Sequence, residues 1–147
     1  MVNSQTILRD TISYLKNFLI DNITDPINLK RPANQRFIMT SYPQRPVEYP
    51  LITIKDSNSF NRGMLGLQSE AALHFVEMEI RIWGRNVVER DTIADEIYSD
   101  LKDNQIGSVG TSQANDLHDL QLLSSVNVDE SDGPKSKVMT FRFMLVA

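Results

Sequence analysis

Val76-Glu77-Met78-Glu79-Ile80-Arg81-Ile82 is the stretch whose reading decides the fold. Val76, Met78, Ile80 and Ile82 share one parity, and Glu77, Glu79 and Arg81 hold the other. Side chains on a strand alternate between faces, so this period of two predicts a strand with one face on a core and one in water. The pattern reaches back to Ala71 and forward to Trp83, then breaks at Gly84. From Val87 the period changes. Ile93, Ala94, Ile97 and Leu101 recur at helical spacing, while Asp91, Asp95, Glu96 and Asp100 fill the other side. Asn86 followed by Glu89 has the form of a capping box, with Asn in place of Ser or Thr, and marks the helix start. A strand feeding directly into an amphipathic helix gives that helix one natural place to lie, across the apolar face of the sheet.

Toward the N-terminus, Asn3 or Ser4 can cap a first helix that carries Leu8, Ile12, Leu15, Leu19 and Ile23 on one stripe, widened by Ile7 and Phe18. Thr24-Asp25-Pro26 ends it, because the residue before a proline is pushed out of the helical region. Residues 28–34 form a basic connector, and 36–42 read as a short strand. Pro43, Pro46 and Pro50 make 43–50 an extended loop and exclude a central strand there. Residues 51–56 are a β-rich run entered through Pro50. Residues 57–70 are expected to be a long loop between two strands that a tight turn could have joined; loops of that length in compact domains are usually functional or mobile. Phe60, Met64, Leu65 and Leu67 give this one an apolar content that suits either a partner surface or a fold back onto its own sheet.

Toward the C-terminus, 105–118 is a polar link, and 120–128 with 137–146 form a hairpin around an acidic turn at 129–136. In its second strand Met139, Phe141, Phe143 and Leu145 alternate with Thr140 and Arg142. The order is α-β-β-β-α-β-β. The economical architecture is a single α+β domain over 1–147, one antiparallel sheet of about five strands with two helices packed on it. A chain of 147 residues is long enough for a real core, and no apolar run approaches the roughly 18 residues of a membrane span. No charged-then-apolar signal peptide is expected at the start of the sequence.

Chemistry is hard to place. With no cysteine there is neither disulfide nor thiolate site. Of the two histidines, His74 shares strand parity with Val76, and His118 lies in the polar link beside Asp119. Neither has a second histidine nearby, and zinc needs three or four ligands. The acidic turn from Asp129 to Gly133 is out of phase for a calcium loop, with no Glu to close it. Gly133-Pro134-Lys135-Ser136 lacks the earlier glycine and following helix of a phosphate loop, and Gly63 with Gly66 make no dinucleotide fingerprint. No serine sits in a nucleophile elbow. The expectation is no enzyme, no cofactor and no metal.

Charge says more. The net −4 argues against a general nucleic-acid binder. Between residues 28 and 62 there are Lys30, Arg31, Arg36, Arg45, Lys55 and Arg62 against Glu48 and Asp56, a local +4. Between 89 and 103 there are Glu89, Asp91, Asp95, Glu96, Asp100 and Asp103 against Arg90 and Lys102, a local −4. These are either two solvated faces or two complementary patches that meet between neighbouring copies.

The element order, the unit Tyr49-Pro50-Leu51-Ile52-Thr53-Ile54 after a proline-broken loop, the helix with Ile93-Ala94-Asp95-Glu96-Ile97, and a closing hairpin with a polar turn together resemble the tail-terminator or tail-completion proteins of long-tailed viruses. The resemblance spans nearly the whole chain as a pattern and brings no catalytic residues. It implies a virion structural protein, assembled in the host cytoplasm, forming a homohexameric ring at the tail–neck junction that ends the tail tube and gives the neck a docking surface. The implied partners are other copies of the chain, the tail-tube protein and neck or head-completion proteins, with DNA only passing through the channel and no membrane. Another head–tail connector ring, or a small ligand-binding adaptor domain, is the alternative. The expected subunit contacts pair Arg36, Arg45, Phe60, Arg62, Met64, Leu65 and Leu67 of one copy with Asp91, Asp95, Glu96 and Asp100 of the next.

Overall fold

The computed structural model describes residues 7–41, 47–64, 72–103, 118–129 and 133–146, with side chains described except at 7–10, 56–64, 72–74, 118–119 and 144–146. In chain order the elements are α1 (Ile7–Asn22), β1 (Ile38–Met39), β2 (Leu51–Met64), β3 (Ala72–Gly84), α2 (Val87–Asp103), β4 (His118–Asp129) and β5 (Lys135–Val146). The strands form one sheet in the order β1-β2-β3-β5-β4.

The alternating stretch becomes β3, the middle strand, paired antiparallel with β2 on one side and β5 on the other. Its apolar parity does what the pattern predicts: Val76, Met78, Ile80 and Ile82 have no solvent exposure. They share one core with Ile52 and Ile54 of β2, Met139, Phe141 and Phe143 of β5, Leu15, Phe18 and Leu19 of α1, and Ile93, Ala94, Ile97 and Leu101 of α2. Burying such side chains stabilises by about 1.5–3 kcal/mol each. Both helices therefore lie on the same face, α1 against β1 and β2, and α2 against β3 and β5. The opposite face carries Glu77, Glu79, Arg81 and Trp83, which the register sets beside Arg142, Thr140, Val138 and Ser136 of β5.

Gly84 turns β3 into α2. A side chain there would stand 2.9 Å from the Arg90 backbone nitrogen and 3.0 Å from the Asn86 carbonyl oxygen, so the strand can meet the helix this closely only through glycine.

The structure corrects four expectations. The sheet is mixed, not wholly antiparallel: β1 runs parallel to β2, with Ile38 beside Ile52 and Met39 beside Thr53. The return from β1 passes Pro43, Pro46 and Pro50, and such a segment cannot make the tight hairpin that antiparallel neighbours use. Second, β1 is two residues long, not the 36–42 expected. Third, the expected loop at 57–70 is strand through Met64. Register shifts between Asp56 and Asn58 and between Asn61 and Gly63 let a polar, glycine-containing sequence stay paired with β3 as far as Met64 beside Ala72. Last, His118 opens β4 opposite Met144 instead of lying in a link, and the hairpin turn is shorter than 129–136, since Asp129 already pairs with Lys135.

Candidate functional site

The start of α2 is built as a charged lock. Asn86 caps it, its Oδ1 accepting the Glu89 N–H at 2.8 Å. The reciprocal half of the capping box is displaced by one residue: Glu89 accepts the Arg85 N–H at 3.1 Å and grips the Arg85 guanidinium. That guanidinium holds the Glu89 carboxyl below its usual range. One residue on, Arg90 is buried, its side chain 3% exposed. Its Nε donates to Asp91 Oδ1 at 2.9 Å and its Nη1 to Asp129 Oδ1 at 2.6 Å, while Lys137 Nζ lies 2.9 Å from the same Asp91 oxygen. Hydrogen bonds from Arg90, then Lys137, hold the Asp91 carboxyl below its ordinary value. The network ties α2 to the end of β4 and the start of β5.

Asp91 is thus engaged inside the subunit, although its sequence neighbours placed it in an acidic outer patch. The other expected acids stand further along α2. Asp95 is exposed, and Glu96 and Asp100 are half-buried. Burial first, then the neighbouring Asp100 charge, pushes the Glu96 carboxyl up; burial, then Asp103, does the same to Asp100. Like charges gathered on one helix and held partly out of water are under electrostatic tension that an opposite charge would relieve.

The basic end is divided in the same way. Arg31 is structural: its guanidinium bonds Asp25 at 2.6 and 3.0 Å, the Glu48 carbonyl at 2.8 Å and the Pro50 carbonyl at 2.5 Å, and lies over the Phe37 ring. Burial raises the Asp25 carboxyl, but the Arg31 hydrogen bond, the Ile27 N–H and the Arg31 charge together hold it low. Arg36 is exposed and stands just before β1. An open cleft of about 710 Å³ lies between the end of α1 and this connector, lined by Ile20, Ile23, Asp25, Arg31, Arg36 and Phe37 among others. Its best-placed polar groups, Asp25 and Arg31, already satisfy each other and the chain at Glu48 and Pro50, so they do not converge on a ligand. Of the remaining expected contact residues, Arg45, Leu65 and Leu67 lie outside the described residues. Phe60, Arg62 and Met64 belong to the β2 backbone, with their side chains outside the description.

The sheet places these charges at different ends. Arg36 adjoins β1, under the part of the sheet that α1 covers, and Asp95, Glu96 and Asp100 ride on α2 over β3 and β5. Among the described residues no group of three or more His, Cys, Asp or Glu side chains could hold a metal, and no helix is long and apolar enough to cross a membrane.

Sequence reasoning missed two features. Arg90 was counted with the outer charges, yet it falls in phase with Ile93, Ala94, Ile97 and Leu101, which is the signal that would have placed it inside. The second is the outer edge of β4, where Leu122, Leu123, Val126 and Val128 are all exposed. No protein-family model matches the chain, and no curated protein sequence matches it.

Proposed function

We propose that the chain is a virion structural protein, not an enzyme, whose copies join head to tail into a ring that ends a viral tail tube and presents a surface to the neck. Two lines support the reading. The sequence pattern resembles tail-terminator proteins, and the fold separates the charges as a head-to-tail contact requires. That separation is the observation that carries it: exposed Arg36 by β1 at one end, and Asp95, Glu96 and Asp100 on α2 toward the other. A contact between unlike patches repeats from copy to copy and closes a ring when the rotation between copies closes, whereas like patches give only a two-fold pair. Exposed ion pairs contribute about 0–1 kcal/mol each, so the charges set register and encounter rate more than affinity.

The experiment is charge reversal followed by sizing. Replacing Asp95 and Glu96 by Lys should weaken ring formation at low salt, and adding Arg36→Glu in the same chain should partly restore it. Assembly that ignores the first change at low salt would reduce both patches to solvated faces. A different head–tail connector ring uses the same contact logic and would pass the same test; its position in the virion distinguishes it.

A further inference from the structure

The cleft between the end of α1 and the connector has an apolar wall and no converging ligand groups. Ile20, Ile23, Phe37 and Ile38 line it, and Ile20 keeps 53% of its surface in water. Of its four charged lining residues, Asp25 and Arg31 hold each other. The other two are exposed: Asp21 in the last turn of α1, and Arg36 before β1. The cleft therefore offers a base from the connector, an apolar wall, and an acid from α1. On its outer side α2 carries the opposite set. Asp95, Tyr98 and Lys102 are exposed and stand three and four residues apart, so they share one face of the helix. At 1.5 Å per residue the acid and the base lie about 10 Å apart along the axis, with the ring between them. Tyr98 stacks on Phe141 with centroids 6.4 Å apart and is 38% exposed. A ring already held on one side and wet on the other has little freedom left to lose, which suits it to anchor a protein contact.

We infer that this face of α2 docks along the cleft of a neighbouring copy, with Tyr98 on the apolar wall at Ile20, Asp95 at Arg36 and Lys102 at Asp21. The inference rests on the head-to-tail reading above and specifies its contact. Charge complementarity selects both the occupant and its direction. Acid, ring and base meet base, apolar wall and acid one way round; the reverse orientation sets Asp95 beside Asp21 and Lys102 beside Arg36. The cleft of a second copy cannot serve as occupant, because two concave surfaces leave a void between them. Nor can the outer side of α1, whose described exposed residues Ser13, Asn17 and Ile20 bring no base to Asp21.

The absence of cysteine makes the test direct. Full-length chains carrying Tyr98→Cys, mixed with chains carrying Ile20→Cys, should form a mixed disulfide under mild oxidation. The control pairs Ile20→Cys with Val88→Cys, 75% exposed and about 15 Å away along α2, and should not. Ile20→Lys, at an exposed position, should weaken assembly by about tenfold or more, read by sedimentation. Lys102→Glu should weaken it by less, and Asp21→Lys in the same chain should restore it. Tyr98→Phe should keep assembly, and circular dichroism checks that every variant keeps its fold. Rings that persist with no 20–98 cross-link above the control, with Ile20→Lys assembling unchanged, or with Lys102→Glu left unrescued, overturn the inference and leave the head-to-tail reading standing. A chain that stays monomeric at every concentration overturns that reading, and this contact with it.

Discussion

β3 and β4 are nearly equal in length and lie one strand apart, yet they live in opposite surroundings. β3 is paired on both sides, and its apolar parity has no exposure at Val76, Met78, Ile80 or Ile82. β4 is paired on one side, and Leu122, Leu123, Val126 and Val128 all keep a third or more of their surface in water. The difference lies in where the helices sit, because an apolar strand is buried only as far as something covers it. α1 packs mainly on β1 and β2 and α2 on β3 and β5, so β4 reaches the core only at Leu120 and the Asp129 end. A subunit built this way completes its core over β3 and leaves the apolar residues of β4 beyond Leu120 in contact with water.

The largest expected effect breaks the contrast at its centre. Ile80→Ala should cost about 2–5 kcal/mol as a core cavity, while Leu122→Ala should cost less than about 1 kcal/mol. Urea unfolding of the two variants under conditions that keep the chain monomeric measures this directly. Similar losses for both would mean that β4 is as much part of the core as β3.

Next in size is the lock that ties β4 to α2. Arg90→Met should lower stability by about 1–3 kcal/mol. The value stays below that of a fully buried pair because the carboxylates of Asp91 and Asp129, 40% and 34% exposed, regain water when the guanidinium is removed. Hydrogen exchange should show protection falling at the Asp129 end of β4 while β3 keeps its own. Equal loss in both strands would show that the network supports the whole sheet.

The smallest effects test the two kinds of acid on α2. Asp91 has a lowered carboxyl, so its contribution is present above its unfolded value and is lost as pH falls through the folded one. Glu96 is raised, so its ionised form costs stability above the folded value, and that cost disappears as pH falls toward the unfolded one. Asp91→Asn should therefore destabilise at neutral pH, and Glu96→Gln should stabilise, each by about 0.5 kcal/mol, with the Glu96 difference gone in acid and the Asp91 difference shrinking there. Thermal melts at pH 7 and pH 3 check the opposite signs.

What the sequence made legible follows the same division. β3 and α2 could be read because their two faces differ in polarity, so periodicity alone assigned the core side. The cap at Asn86 was readable for a local reason, since its partner Glu89 is three residues away. The parallel pairing of β1 was not, because two residues carry no periodicity and the choice of neighbour depends on the proline-rich return. The continuation of β2 past Asp56 was hidden by register shifts, which let asparagine, serine and glycine pair where propensity favours a loop. Asp91 looked like a member of an outer patch because its adjacent holder, Arg90, was itself counted with the outer charges, and its second, Lys137, is 46 residues away along the chain.

The most direct test of an incomplete subunit is native mass spectrometry of the unmodified chain, paired with negative-stain imaging of the same sample. The account predicts particles at multiples of 16.8 kDa, with ring views showing a central hole. A single 16.8 kDa species that persists as the concentration rises, with no rings in the images, would contradict it.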